Sequence, residues 1–174
     1  MRGDADSDMT ASVPRILVAM AESDTDVDQP RVVSASREIE AGAAAIFELI
    51  ADPAQQPRWD GNDNLAEAAA GQRVRALGDV FVMTTTKGVT RENRVVEFEE
   101  ARRVAWLPAE PGKPPPGHLW RWELEPLDDT HTRVTHTYDW SGLTDEKRFE
   151  RARWTTSERL QASIDRLAAV AENP

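Results

Sequence analysis

The sequence predicts an α+β fold in which a curved antiparallel sheet of about seven strands wraps a long C-terminal helix, with two short helices after the first strand. Three observations lead there. Strand-like segments separated by turn residues fill residues 65 to 140. Near residue 145 the apolar spacing changes from two to three-and-four and stays so almost to the C-terminus. Before residue 60, one strand-like segment is followed by a short helical one that stops at Asp52-Pro53.

In chain order, Arg31 to Glu40 (RVVSASREIE) carries β-branched residues and ends at a small-residue break. That suits a first strand, although Val32 and Val33 interrupt its alternation. Ala43 to Ala51 (AAAIFELIA) is rich in helix formers and sets Ile46, Phe47, Leu49 and Ile50 on one broad face. Pro53 disfavours continuation and opens a second helical turn, Pro53 to Trp59, at a position where a missing N–H does no harm. The turn formers Asp60-Gly61-Asn62-Asp63-Asn64 lead into six strand candidates. These are Leu65 to Gln72, Asp79 to Lys87, Thr90 to Glu100, Arg103 to Leu107, His118 to Pro126 and Thr132 to Trp140. Short turns at Gly78, Gly88, Ala101-Arg102 and Asp128-Asp129 favour an antiparallel meander. PAEPGKPPPG at 108 to 117, with five prolines in ten residues, makes a stiff connection. Phe149, Trp154, Ser157, Leu160, Ile164, Leu167, Ala168 and Ala171 then mark one long amphipathic helix with Thr144 or Asp145 near its cap.

Charge and composition exclude several classes of function. The 174 residues include 31 acids and 21 bases, and the net charge of −10 opposes docking on nucleic acid or anionic lipid. Seven of those acids, two arginines and no aromatic residue lie in the first 30 positions. Residues 1 to 30 are therefore expected to form a mostly disordered acidic tail, within which Val13 to Met20 could lie on the surface of a domain spanning 31 to 172. The absence of cysteine excludes disulfides, thiol nucleophiles and Cys-ligated metal. Three histidines without metal-ligand spacing, and no Gly-rich phosphate loop, lead us to expect neither metal nor cofactor. No apolar run approaches the ~20 residues of a membrane span, so the chain is read as cytoplasmic, without stable membrane insertion, and monomeric or homodimeric.

The order of elements, REIEAGAAAIFELIADP near the N-terminus, Trp-Asp-Gly at 59 to 61, RVVEFEEARRVAW at 94 to 106 and WRWELEPLDDTHTRVTHTYDW at 120 to 140 together resemble the START-like (SRPBCC) superfamily. Within it the chain is similar to bacterial polyketide cyclase/dehydrase and lipid-transport-like proteins, over about residues 31 to 172. The resemblance implies a helix-grip fold with a deep cavity between sheet and C-terminal helix. It does not imply one reaction, since members include cyclases, lipid carriers, hormone receptors and chaperone activators.

Strand alternation indicates which side chains would line such a cavity. With Arg121 and Glu123 pointing out, His118, Trp120, Trp122 and Leu124 point in. With Arg133, Thr135, Thr137 and Asp139 out, Val134, His136, Tyr138 and Trp140 point in. Phe81, Met83 and Thr85 form a third inner row and Val104 and Trp106 a fourth, with Trp154 and Leu160 of the long helix facing them. Thr90 to Glu100 does not resolve, because Val95 competes with Val96 and Phe98; Arg37 shares a face with Val33, Ala35 and Ile39.

These rows give two lists. Phe81, Met83, Trp106, Trp120, Trp122, Trp140 and Trp154 are the candidate ligand-binding residues, for a lipid-like or aromatic molecule. His118, His136 and Tyr138 are the candidate polar or catalytic groups, since a buried imidazole needs partners or costs about 1–3 kcal/mol. The first reading is a small-molecule-binding protein. In the alternative, a polyketide-type cyclase or dehydratase, His118 or His136 is the acid–base group and Tyr138 donates to a carbonyl or enolate. A second alternative is a protein-interaction module resembling the chaperone activators. Asp60 is read as capping its own turn.

Overall fold

The computed structural model describes residues 29–174, so the acidic tail expected over 1 to 30, with its Val13 to Met20 stretch, falls almost wholly outside the described residues. Strand β1 (Val32–Ile39) alternates as one face of a sheet requires: Val33, Ala35 and Arg37 are half-buried and Ile39 is buried, while Val32, Ser34, Ser36 and Glu38 face solvent. Helix α1 (Ala43–Ala51) buries Ile46, Phe47, Ile50 and Ala51. Asp52 then caps a 3₁₀ turn at Pro53–Gln55 by accepting the N–H of Ala54, and helix α2 (Gln56–Trp59) follows.

Six further strands complete the sheet: β2 (Leu65–Glu67), β3 (Val80–Thr85), β4 (Thr90–Glu99), β5 (Arg103–Ala109), β6 (Leu119–Pro126) and β7 (Thr132–Asp139). Every pairing is antiparallel, in the order β1-β7-β6-β5-β4-β3-β2. The seven-stranded curved sheet and the pair of short helices after β1 agree with the fold read from the sequence.

Boundaries moved where a side chain took over a backbone role. β2 stops at Glu67 instead of Gln72, because the Gln72 amide itself pairs with the β3 edge. Its oxygen accepts the Val82 N–H at 2.7 Å and its nitrogen donates to the Val82 carbonyl at 3.1 Å. β5 runs on to Ala109 and includes Pro108, which is tolerated because the β5–β6 pairing has already ended at Trp106 and Trp120. The unresolved alternation of Thr90 to Glu100 is a β-bulge. Register shifts between Val95 and Glu97, so Asn93 and Val95 face inward before the extra residue and Phe98 faces inward after it, edge-on to Phe47 at 5.9 Å.

The C-terminal helix is not continuous. A 3₁₀ turn at Glu146–Arg148 leads into α3 (Phe149–Arg153), and α4 begins afresh at Ser157 and runs to Ala171. Between them Thr156 adopts an extended conformation (φ −101°, ψ 167°), as β-branched residues next to a helix start readily do. α4 buries Leu160, Ser163, Ile164, Leu167 and Ala168. Each large aliphatic removed from water contributes about 1.5–3 kcal/mol. Among the described residues, no helix is long and apolar enough to cross a membrane.

The loop after α2 fastens that helix to α4. The Asp60 carboxylate accepts the N–H groups of Asn62 (3.2 Å), Asn64 (2.6 Å) and Leu65 (2.8 Å), which confirms its turn-capping role. Gly61 donates its N–H to Ser163 Oγ at 3.1 Å, Asn62 donates to the Arg159 carbonyl at 2.9 Å, and Arg166 donates to the Asp60 carbonyl at 2.6 Å. At Gly61 the two backbones are so close that a Cβ would lie 2.3 Å from the Ala162 carbonyl carbon. Gly61→Ala must therefore push α2 and α4 apart, and a loss of about 2–4 kcal/mol in denaturant unfolding is expected. Unchanged stability would show that this contact is slack.

Candidate functional site

Between the inner face of the sheet and the helices lies a cavity of about 480 Å³, opening to solvent between α3, the β3–β4 hairpin and the Asn62–Leu65 loop. Its inner wall is a cross-strand ladder of rings. Trp122 of β6 stands opposite His136 of β7, and Trp120 opposite Tyr138. The Trp122 and His136 rings stack at 3.7 Å and 8°, and Trp120 lies 4.4 Å from Tyr138 and 5.5 Å from His136. Trp106 continues the wall onto β5 as the register partner of Trp120, and Trp59 of α2 closes it edge-on to Trp122 at 5.1 Å. Trp59 is itself anchored by donating its indole N–H to the Leu49 carbonyl at 2.7 Å.

Of the seven residues read as ligand-binding, Met83, Trp106, Trp120, Trp122 and Trp154 line this cavity. Phe81 sits behind the wall, wholly buried and edge-on to Trp106 at 5.3 Å. Trp140 does not line the cavity; it packs in a second apolar cluster with Tyr138, Leu143, Ala152 and Leu160, behind those of its members that do, and Phe149 and the Arg31 guanidinium cover its ring. Trp154 does not point into the core, because α3 ends there and α4 starts afresh at Ser157. It is 46% exposed at the cavity mouth, with the Arg159 guanidinium 3.0 Å from its ring centre.

His118, His136 and Tyr138 all line the cavity. His136 Nδ1 lies 3.0 Å from the Arg121 carbonyl. A carbonyl can only accept, so Nδ1 carries the proton and Nε2 is left as the acceptor of a ring on the cavity wall. His118 and the Tyr138 hydroxyl have no hydrogen-bond partner among the described residues; their rings are 5.9 Å apart. The Trp122 indole N–H is buried and likewise unpartnered among them. Burial pushes His136 down to about 4 against the opposing Arg121 hydrogen bond. Burial, then the charges of Arg148, Arg91 and Arg151, push His118 down to about 4. Burial raises the Tyr138 hydroxyl to about 12. Near neutral pH the site therefore offers three uncharged groups able to donate or accept hydrogen bonds.

The sequence reading missed several lining residues. Asn93, 5% exposed, donates to the Phe81 carbonyl at 3.5 Å and hides behind the β4 bulge. Lys87, Arg91, Arg148 and Arg151 also line the cavity, from turns, strand ends and α3, where charged residues read as solvent-facing.

The two histidines fix a pH dependence. Each binds its proton less tightly folded than unfolded, so their contribution is complete above about 6.5 and is lost as pH falls from there towards 4. For the fully buried His136 the loss is on the order of 3 kcal/mol. The depressed carboxylates Glu97, Glu100 and Asp165 act only below their ordinary values of 4.5, 4.5 and 3.8. Imidazole ¹⁵N shifts followed from pH 8 to 4 should show His136 neutral, with its proton on Nδ1, at pH 5.5. A charged His136 there would contradict its placement.

Comparison with known proteins places this geometry. An uncharacterized protein of Mycobacterium tuberculosis is 30% identical over 122 residues, which cover 64% of this chain and 48% of that protein. The chain thus spans about half the length of the curated relatives it matches. Among solved structures, the protein MLL2253 from Mesorhizobium loti superposes with a TM-score of 0.60 at 15% identity, over 81% of this chain and 96% of that one. A Thermobifida fusca protein gives 0.58 at 22% identity over 80% and 91%, and the Aha1 dimer of Colwellia psychrerythraea gives 0.57 at 17% over 82% and 96%. At these identities the structures share the fold. Residues 30–172 match the model of the family described as Polyketide cyclase / dehydrase and lipid transport, and the chain belongs to that family.

Proposed function

We propose that this domain binds a hydrophobic or aromatic small molecule, lipid-like or polyketide-like, in the cavity beside α4. The observation that carries this reading is an open space of about 480 Å³ walled by Trp59, Trp106, Trp120 and Trp122. Ligand sites are typically of this size, mostly apolar, with a few convergent polar groups. His118, His136 and Tyr138 supply those groups and would orient the ligand. The packed, closed interior that an interaction module favours is not what lies beside α4.

The catalytic alternative keeps the same three residues in other roles. Proton transfer at neutral pH is most efficient from a group that titrates near it. Imidazoles held near 4 and a phenol near 12 suit hydrogen bonding to a bound molecule better than exchanging protons with it. This supports placing binding ahead of cyclase or dehydratase chemistry.

Titration with the neutral dye N-phenyl-1-naphthylamine should quench tryptophan emission and brighten the dye. Trp120→Ala, which removes the ring between Trp106 and Tyr138, should weaken that binding by about tenfold. Trp140→Ala, which removes a ring that does not line the cavity, should lower stability and weaken binding less than Trp120→Ala does. Native mass spectrometry of protein taken from its source should show an added small-molecule mass that disappears on denaturation. A bare mass together with no response to the dye or to a panel of apolar metabolites would overturn the proposal.

A further inference from the structure

The charges around the cavity run against those of the chain. The protein carries a net charge of −10, yet the charged residues lining the cavity are Lys87, Arg91, Arg148 and Arg151 against Asp60 alone. The Asp60 carboxylate is already committed to three backbone N–H groups of its own loop. The four cations come as two local pairs, Lys87 and Arg91 of the β3–β4 hairpin and β4, and Arg148 and Arg151 of the turn before α3 and α3 itself, and only the tertiary fold brings the pairs together.

Among the described residues three of these cations lack an anionic partner: Lys87, exposed in the hairpin turn, and the arginines Arg91 and Arg151. Arg91 donates only to the carbonyl of its neighbour Thr90, at 3.1 Å, and Arg151 lies 5.9 Å from the Trp154 ring. Neither makes an ion pair among the described residues. Arg148 shares itself between Glu110 and Asp145, at 3.4 Å each. Arg91 and Arg148 also line, with His118, a recess of about 100 Å³ under the proline-rich loop. Converging guanidinium groups repel one another, and each presents a fork of N–H donors that matches an oxyanion. The opposite wall is indole.

Resting on the binding reading above, we infer that the natural ligand is an amphiphile, with an aromatic or hydrocarbon body against Trp106, Trp120 and Trp122 and a carboxylate-type oxyanion held by Arg91 and Arg151 beside His118. The neutral imidazole of His118 can donate one further hydrogen bond to that head group. Arg148, tied to Glu110 and Asp145, shapes the rim and adds to its potential.

The test uses the full chain and two probes that differ only in the head group: 1-pyrenebutyrate and 1-pyrenebutanol, followed by energy transfer from tryptophan at 50 mM salt. The acid is expected to bind about tenfold tighter than the alcohol, the difference shrinking at 500 mM salt. Arg91→Gln and Arg151→Gln should each reduce the preference about threefold, and the double variant should abolish it. Thermal unfolding of the variants controls for folding, and the acid–alcohol comparison on the unmodified protein needs no variant. Equal affinity for the two probes, or a preference that survives the double variant, would overturn the inference and leave the cavity reading standing. Equal affinity is also the result if the arginines serve an anionic protein surface. Failure of both probes and of the neutral dye would remove the cavity reading and this inference with it.

Discussion

A single helix has to close a sheet much wider than itself. Seven strands at ~4.8 Å spacing span roughly 30 Å, whereas a helix with its side chains is only ~10–12 Å across. α4 settles on β1 and β7 at one end of the sheet, braced by α1 and α2. The inner faces of β3, β4 and β5 lie beyond its reach. The sheet curves, helped by the β4 bulge, but curvature does not remove the mismatch. The cavity is what remains, walled by large aromatic side chains of β5, β6 and β7 and by Trp59 of α2.

The outer face of the sheet holds that arrangement in register. Arg121 makes a two-pronged contact with Glu97 across β5, and Arg133 reaches both Glu38 and Glu125 on the strands that flank it. Exposed pairs of this kind add little stability, about 0–1 kcal/mol each. Their value lies in specificity: a one-residue slip of β6 would turn Arg121 and Glu123 into the cavity and Trp120 and Trp122 into water. At the other edge, Arg73 bridges Glu48 of α1 and Glu100 after β4, and its hydrogen bond holds the Glu100 carboxyl below the usual range. The same residue fixes the segment between β2 and β3, whose Gln72 closes the strand edge.

Inside, the site departs from the rules the rest of the fold obeys. Among the described residues the N–H of Trp122 is buried without a partner, two imidazoles are held neutral by burial, and Arg91 and Arg151 line the cavity without a carboxylate partner. Each costs stability, and such departures concentrate where a protein meets a ligand. The ordinary core around α1 and α4, with Ile46, Phe47, Ile50, Ile164 and Leu167 fully buried, supplies what offsets them.

Period and punctuation, both local, carried most of the fold in the sequence itself. Two-residue alternation placed Trp120, Trp122, His136 and Tyr138 on the inner face, and Asp-Pro, Gly and Asp-Asp marked where elements end. Alternation says which face a side chain takes but not what stands opposite, so it ranked Phe81 and Trp140 with the cavity wall, although Trp106 and Phe149 cover them. It failed at Thr90 to Glu100, where one bulged residue inverts the phase. Helical spacing likewise ran through Thr155-Thr156-Ser157, although adjacent β-branched and capping residues mark a restart there. The rim was illegible for a deeper reason. The pair Lys87 and Arg91 is far in the chain from the pair Arg148 and Arg151, and each residue by itself looks like any solvated charge. Only the folded sheet, by carrying the β3–β4 hairpin up to α3, decides that they face one space and one another.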